Sequence, residues 1–299
     1  MLFQLPKRRS LASIVPLALI SAVIAASYGC SASAGTAPAT ANTNTTDTGT
    51  GSGTGSTASD AALVPYFITP TLCTDHSGPD CTSLRLGDAY LSTSAPAVGK
   101  LYSCVAGNAG APGSNKSKIT WINDAAGTWN LLRKPFLPAS GVNLAAGTIT
   151  VTDQAGTRTI QSNNLPVDAM QGDWPMTKYA ALTAIDANPG TPAAKTTTFG
   201  LDLNPTVAAV PTCVGMGAIG VTLNGVVLYN AVDARGNDAV ANEIVDVYGG
   251  HPAMTDYHYH SVPERLDPPT SADGHSGIIG YIRDGFAIYG YHFRKVCEL

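Results

Sequence analysis

The chain has 299 residues, of which 44% are hydrophobic and 13% are charged, and its formal net charge is −4 at pH 7. That length and apolar content suffice for one sizeable domain or two small ones, which excludes disorder over the whole chain. The Lys and Arg residues are scattered and form no basic patch, so nucleic acid is not expected as a partner. The 31 Gly and 20 Pro residues favour a turn-rich β protein.

The N-terminus has the pattern of an export signal. A basic start at residues 7–9 precedes an apolar run over residues 11–26 that is too short for a membrane span. Two cleavage sites compete: residues 27–30, which resemble a lipoprotein cleavage box, and residues 32–34, an A-x-A site. The first is favoured, because Cys30 after an apolar run supplies the thiol that takes a lipid. We therefore expect a membrane-anchored lipoprotein of the cell envelope; the second site predicts a periplasmic or secreted protein.

Composition divides the chain into three parts. Residues 1–30 are the predicted signal peptide. Residues 31–60 contain no aromatic and no large aliphatic residue, so they are predicted to be a disordered Gly/Ser/Thr/Ala linker. Residues 61–299 are predicted to form a β-rich domain.

Five cysteines follow the predicted signal peptide: Cys73, Cys81, Cys104, Cys213 and Cys297. Two disulfides are expected in an oxidising compartment, with Cys73–Cys81 or a bridge from either residue to Cys104 as the alternatives near residue 78. The fifth thiol is open to three interpretations: a metal ligand, a buried unreactive thiol, or one whose partner lies beyond the C-terminus.

Short strands joined by turns dominate the predicted domain. Hairpins are expected around Asp124-Ala-Ala-Gly127, around Gln154-Ala-Gly156 and, most strongly, around Asn224-Gly225, which apolar residues flank on both sides. One short helix is predicted near 238–248, with Asp238 as N-cap and a left-handed glycine cap at Gly249-Gly250. The predicted fold class is a mainly β, short-stranded antiparallel sandwich or barrel-like domain.

Five of the six histidines lie within residues 251–292: His251, His258, His260, His275 and His292. In an extended Tyr257–His260 segment the two histidines share one face and the two tyrosines share the other. Imidazole nitrogens are ligands for Cu, Zn and Fe, so this segment predicts a transition-metal site. Because ligation requires neutral imidazole, the affinity is expected to fall near pH 6.

The predicted ligands are His251, His258, His260, His275 and Asp284, with His258 and His260 at the centre of the prediction. Asp246, Asp256 and Glu264 are carboxylates that could join them or orient a ligating imidazole.

Two further hypotheses stay open at this point. The first is a metal-dependent enzyme, either a hydrolase or a cupin-like oxygenase. His258-x-His260 followed by Glu264 has the spacing of a first cupin motif. In such an enzyme Glu264 or Asp284 would be the acid or base. The second is an extracytoplasmic interaction module without metal. In it the histidines are structural, and the contact surface consists of four tyrosines: Tyr257, Tyr259, Tyr281 and Tyr289.

An ordered set of motifs over residues 158–290 resembles the bacterial YHYH-domain proteins, named for the tetrapeptide that stands here at residues 257–260. The motifs are SNNLP at 162–166, GDWP at 172–175, GVTLNG at 220–225, GHP at 250–252, YHYH at 257–260, HS at 275–276, IGY at 279–281 and DGFAIYG at 284–290. The resemblance implies an exported, often lipid-anchored protein without an established activity. Similar proteins continue further into a second His-containing segment, so the resemblance also implies a chain shortened at its C-terminus.

Overall fold

A computed structural model describes residues 63–70, 80–87, 90–188, 190–266 and 274–290. The predicted signal peptide with Cys30, the linker, Cys73, His292 and Cys297 lie outside these residues. Within the described ranges, no helix has the length and apolar character that a membrane crossing requires.

The described residues form short strands and very short helices. The strands β1 to β16 are Tyr66–Phe67, Leu84–Arg85, Leu91–Ser92, Leu101–Tyr102, Ile122–Asn123, Thr128–Trp129, Pro135–Phe136, Ile149–Gln154, Thr157–Ser162, Thr197–Asp202, Ala218–Thr222, Val227–Tyr229, Gly250–Ala253, Asp256–Tyr259, Ile278–Ile282 and Ala287–Tyr289. The α-helices are α1, Ala180–Thr183, and α2, Ala239–Asn242. Single 3-10 turns occupy Lys116–Lys118, Leu131–Arg133, Met176–Lys178 and Glu264–Leu266. The prediction of a mainly β protein is confirmed.

The largest sheet has six strands in the order β13-β14-β12-β11-β15-β16. Its neighbouring strands are antiparallel except β12 and β14, which run parallel. A second sheet, β10-β9-β8, is antiparallel, and three smaller sheets have two or three strands each. No sheet closes into a barrel among the residues that the structure describes, so of the two predicted architectures the barrel is not observed there.

The predicted hairpins are confirmed. Strands β5 and β6 pair antiparallel, as do β8 with β9 and β11 with β12. The left-handed backbone that two of these turns require falls on Gly156 (φ 82°) and Gly225 (φ 90°), because glycine adopts it without a steric cost.

Two hairpins of the large sheet are built alike, one over residues 218–229 and one over residues 278–289. Each carries an Asn-Gly or Asp-Gly turn, with Gly225 at φ 90° and Gly285 at φ 92°. Each also has a register shift two residues into its first strand. Their first strands, β11 and β15, pair antiparallel and lie between β12 and β16 in the sheet. The β13–β14 hairpin is added beyond β12, at one edge of this arrangement.

The predicted helix near 238–248 is present but ends after one turn. Its start is as predicted, since the Asp238 side chain accepts a hydrogen bond from the Ala241 backbone N–H at 3.1 Å. It stops at Asn242 because Glu243 is extended and the Ile244 N–H donates to the Asp186 carboxylate at 2.9 Å. A side chain distant in sequence thus replaces the helical acceptor. Gly249 has the predicted positive φ (85°), but it lies in the turn before β13 rather than at a helix end.

The main core packs large aromatic and aliphatic side chains under the large sheet. It includes three tryptophans together with Leu137, Met176, Ile244 and the two tyrosines of β14, Tyr257 and Tyr259. Both tyrosines have no solvent exposure. The two tyrosines therefore hold one face of β14 in the core, and this fixes the orientation of the opposite face.

A disulfide joins Cys104 to Cys213 across a sequence separation of 109 residues. It ties the chain after β4 to the segment before β11, where Ser103 and Val214 form an isolated bridge. Of the two predicted alternatives, the bridge from Cys104 to Cys73 or Cys81 is therefore wrong. Cys81 is also in a disulfide, and its partner lies outside the described residues.

Candidate metal centre

The β13–β14 hairpin brings two histidines face to face. In its antiparallel register His251 lies directly opposite His258, so both side chains project from the same face of the sheet. His260 follows β14 two residues after His258, and the rings of these two residues lie 4.8 Å apart between centroids. The alternation predicted for Tyr257–His260 is confirmed: the tyrosines enter the core and the histidines lie together on the other side.

His251, His258 and His260 form a group that could hold a metal ion. One potential ligand atom from each lies within 4.8 Å of the other two. His251 and His258 are buried, at 4% and 3% exposure. Only 6% of the His260 side chain is exposed. Three imidazoles therefore converge with little of their own surface exposed.

The hydrogen bonds of His258 and His260 fix which ring nitrogen carries the proton. The Nδ1 of His258 lies 2.9 Å from the carbonyl oxygen of Asp256, and the Nδ1 of His260 lies 2.5 Å from that of Asn230. A carbonyl oxygen only accepts hydrogen bonds, so both Nδ1 atoms donate and both Nε2 atoms of the neutral rings carry lone pairs. These two Nε2 atoms face each other at 3.1 Å. Two lone pairs at this distance repel each other unless a cation lies between them.

Polar atoms around this pair lack hydrogen-bond partners. Neither ring nitrogen of His251 has one, nor does the Oε2 atom of Glu243. That oxygen lies 3.5 Å from the Nε2 of His251 and 3.6 Å from the Nε2 of His260. Buried polar atoms normally have partners, and leaving one unpaired costs about 1–3 kcal/mol. Nitrogen and oxygen atoms without hydrogen-bond partners are thus grouped within one small volume.

Burial controls the protonation of this group. It lowers the pKa of His258 to about 3, with the positive charge of a protonated His260 as the second cause. It lowers the pKa of His260 to about 4 and that of His251 well below the ordinary value. It raises the pKa of Glu243 well above its ordinary value, and the nearby Asp186 acts in the same direction. At neutral pH the three imidazoles are therefore neutral, the form that binds metal ions.

Asp246 has a structural role next to the histidine group. Its carboxylate accepts five hydrogen bonds, from the backbone N–H groups of Gly172, Tyr248 and Gly250, the indole of Trp174 and the hydroxyl of Tyr257. It therefore holds both strands of the β13–β14 hairpin and does not contact the imidazoles. Asp256 contributes its carbonyl oxygen to His258, while its side chain forms an ion pair with Lys195.

Two predicted ligands, His275 and Asp284, lie outside the histidine group. The Nδ1 of His275 faces the carbonyl oxygen of Ser276 at 2.7 Å, and its ring packs edge-on against Tyr289. Asp284 lies in the β15–β16 turn and lines a different cavity. The structure thus brings together three of the five predicted ligands. His292 and the Glu264 side chain lie outside what it describes.

Sequence reasoning missed three residues of the centre. Glu243 lies within the predicted helix near 238–248 and was not among the predicted ligands. Tyr229, which stacks on His258 at 3.9 Å between ring centroids, and Asn230, whose carbonyl fixes His260, come from β12 and its end. The parallel pairing of β12 with β14 brings Tyr229 and Asn230 to the histidines, and no local sequence pattern predicts that pairing.

The model of the YHYH protein family matches residues 198–298. The chain therefore contains a YHYH domain, and the resemblance drawn from its ordered motifs is confirmed over this region. All three histidines of the group and Glu243 lie within it. No curated protein and no solved structure shows significant similarity to the chain.

Proposed function

We propose that this protein binds one transition-metal ion, Cu, Zn or Fe, through His251, His258 and His260, in a role of metal binding, storage or sensing. The observation that carries the proposal is the pair of Nε2 atoms at 3.1 Å, both left as lone-pair donors by their Nδ1 hydrogen bonds. Two nitrogens bound to one tetrahedral ion at about 2.0–2.1 Å stand about 3.3 Å apart, close to the separation seen here.

Glu243 is the fourth donor that the site offers. Its Oε2 atom lies beside two of the three imidazoles and has no other partner, so a cation between these groups would satisfy it as well. A divalent ion would also favour the ionised carboxylate, against the burial that otherwise raises its pKa.

The proposal is tested by equilibrium dialysis of the purified, metal-stripped protein against Zn²⁺, Cu²⁺ and Fe²⁺ at pH 7, followed by elemental analysis. We expect one ion per chain with a dissociation constant below about 1 μM for at least one of the metals. Binding below 0.2 ions per chain for all three would refute the proposal.

Burial of the imidazoles changes the expectation of an affinity loss near pH 6, and metal retention should extend well below that pH. Because burial lowers the pKa of His258 to about 3 and that of His260 to about 4, protons do not compete for these rings at pH 5. The measurement is best made on a Glu243→Gln variant, which removes the neighbouring carboxylate from the titration. Its affinity at pH 5 should stay within about threefold of that at pH 7.

A peptide of residues 256–261 is the matched control for this pH series. Its exposed imidazoles keep an ordinary pKa near 6.5, so it should lose at least about 100-fold in affinity over the same range. An equal loss in the folded Glu243→Gln variant would contradict the burial of the site.

We further propose that the protein is exported and anchored to the membrane by a lipid on Cys30. The support is the basic and apolar N-terminal pattern and the Gly29-Cys30 pair. In cells that express the full chain, the protein should fractionate with membranes, and Cys30→Ser should release it to the soluble fraction. Unchanged membrane association of the variant would remove Cys30 as the anchor.

A further inference from the structure

A cavity of about 600 Å³ opens against the histidine group. His251, His258, His260 and Glu243 line one part of it. A water molecule takes up about 30 Å³, and pockets that hold small organic ligands measure about 300–1,000 Å³. The space is therefore much larger than the coordination of one ion requires.

The rest of the cavity wall is largely apolar. It is lined by Pro252, Val232, Met216, Met254 and the ring of Tyr229, which also stacks on His258. Such a wall favours an apolar body rather than a sugar or a phosphate group, because it offers few hydrogen bonds to replace those that a polar ligand makes with water.

The charged side chains at the wall are already engaged. The Arg235 guanidinium donates to three backbone carbonyls, those of Ala111, Gly113 and Ser114. The Asp233 carboxylate accepts hydrogen bonds from the backbone N–H groups of Arg235 and Asn237 and from the Asn237 side chain. The Asp186 carboxylate accepts hydrogen bonds from the backbone N–H groups of Ile244 and Asn188. None of these three residues presents an unpaired charge that would select a ligand, so the selecting group in this cavity is the metal centre.

A divalent ion among three neutral imidazoles keeps its full charge, and one positive charge remains even where the Glu243 carboxylate binds. In a buried site this charge favours an anionic donor over water, because the electrostatic attraction is weakly screened there. The ligand that fits this cavity therefore has two parts. An anionic oxygen binds the ion, and an apolar body packs against the cavity wall.

We propose that the metal centre binds an exogenous small molecule that joins one anionic oxygen, a carboxylate or phenolate, to a compact apolar or aromatic body. This inference rests on the proposed metal site. It assigns the cavity a ligand class.

The test uses the protein loaded with Co²⁺, whose visible absorption reports changes in its coordination. We expect benzoate to change the spectrum and to bind at least tenfold more tightly than acetate, and azide to change it too. Met216→Trp, which narrows the cavity, should weaken benzoate at least tenfold and leave azide within about threefold. Val207→Trp is the matched control, because Val207 is exposed and lines a different cavity.

A different experimental result would refute each part of the proposal. Absence of binding both for Co²⁺ and for Zn²⁺, Cu²⁺ and Fe²⁺ would refute the metal site itself. Bound Co²⁺ whose spectrum responds to neither azide nor benzoate would show a closed centre and overturn this inference alone. A response to azide with no preference for benzoate over acetate would overturn the assigned ligand class. The Co²⁺ spectrum of Met216→Trp before ligand addition shows whether that variant keeps a folded site.

Discussion

Replacing both His258 and His260 with asparagine should lower the affinity for the metal ion at least about 1000-fold, a loss of about 4 kcal/mol. Asparagine removes the ligating Nε2 atom but keeps an amide N–H near the position of Nδ1, so it can still donate to the carbonyls of Asp256 and Asn230. The variant therefore separates metal ligation from the hydrogen bonds that position the two side chains.

The matched control is His275→Asn, which changes a histidine of the same region that the structure places outside the group. It should bind one ion with unchanged affinity. Isothermal titration of the three proteins with the metal of highest affinity measures the effect. Tight stoichiometric binding by the double variant, or an equal loss in the control, would contradict the assignment of His258 and His260 as ligands.

Asp246→Ala should cost at least about 5 kcal/mol of folding free energy, enough to unfold many domains of this size. The substitution leaves four buried donors and one part-buried donor, the Tyr248 N–H, without their acceptor, and each unpaired buried donor costs about 1–3 kcal/mol. Because two of these donors, Gly250 N–H and Tyr257 O–H, lie on the β13–β14 hairpin, metal binding should be lost together with stability.

Tyr257→Phe is a milder change that removes only one of the hydrogen bonds to Asp246. It removes one of the five donors and leaves the carboxylate with four, so it should cost only about 1–3 kcal/mol and yield a folded protein that binds metal. Urea unfolding followed by circular dichroism ranks the variants. A free energy of unfolding for Asp246→Ala within 1 kcal/mol of that of the unchanged protein would contradict the structural role of Asp246.

Local patterns in the sequence predicted the hairpins and the two faces of β14. An Asn-Gly pair between apolar runs and the period-2 spacing of Tyr257 to His260 are determined by neighbouring residues, so no tertiary information is needed to interpret them. The placement of Tyr257 and Tyr259 bears on the hypothesis of an interaction module. Both are fully buried and supply no contact surface, whereas Tyr289, another of its four tyrosines, is exposed.

Strand order separates His275 and Asp284 from the other predicted ligands, to which they are close in sequence. His275 precedes β15 and Asp284 follows it, while the three histidines belong to the β13–β14 hairpin. Strands β12 and β11 lie between β14 and β15. Three strand spacings correspond to about 14 Å, far beyond the reach of a shared metal ion.

Glu243 was missed because a tertiary contact ended its helix early. The apolar spacing of Val240 and Ile244 fits a longer helix, and nothing in that local pattern brings Glu243 to the histidines. The Asp186 carboxylate instead binds the Ile244 N–H, and the extended backbone at Glu243 brings its side chain to the histidines. Asp186 lies 58 residues away in sequence, so only the folded chain shows this contact.

X-ray absorption spectroscopy of the metal-loaded protein, at the edge of the metal that binds with highest affinity, tests the central claim most directly. The structure predicts one ion per chain with three imidazole nitrogens at about 2.0–2.1 Å for zinc, accompanied by the multiple-scattering features of imidazole rings. A coordination sphere with fewer than two imidazoles, or metal that is lost from the folded protein on gel filtration, would contradict it.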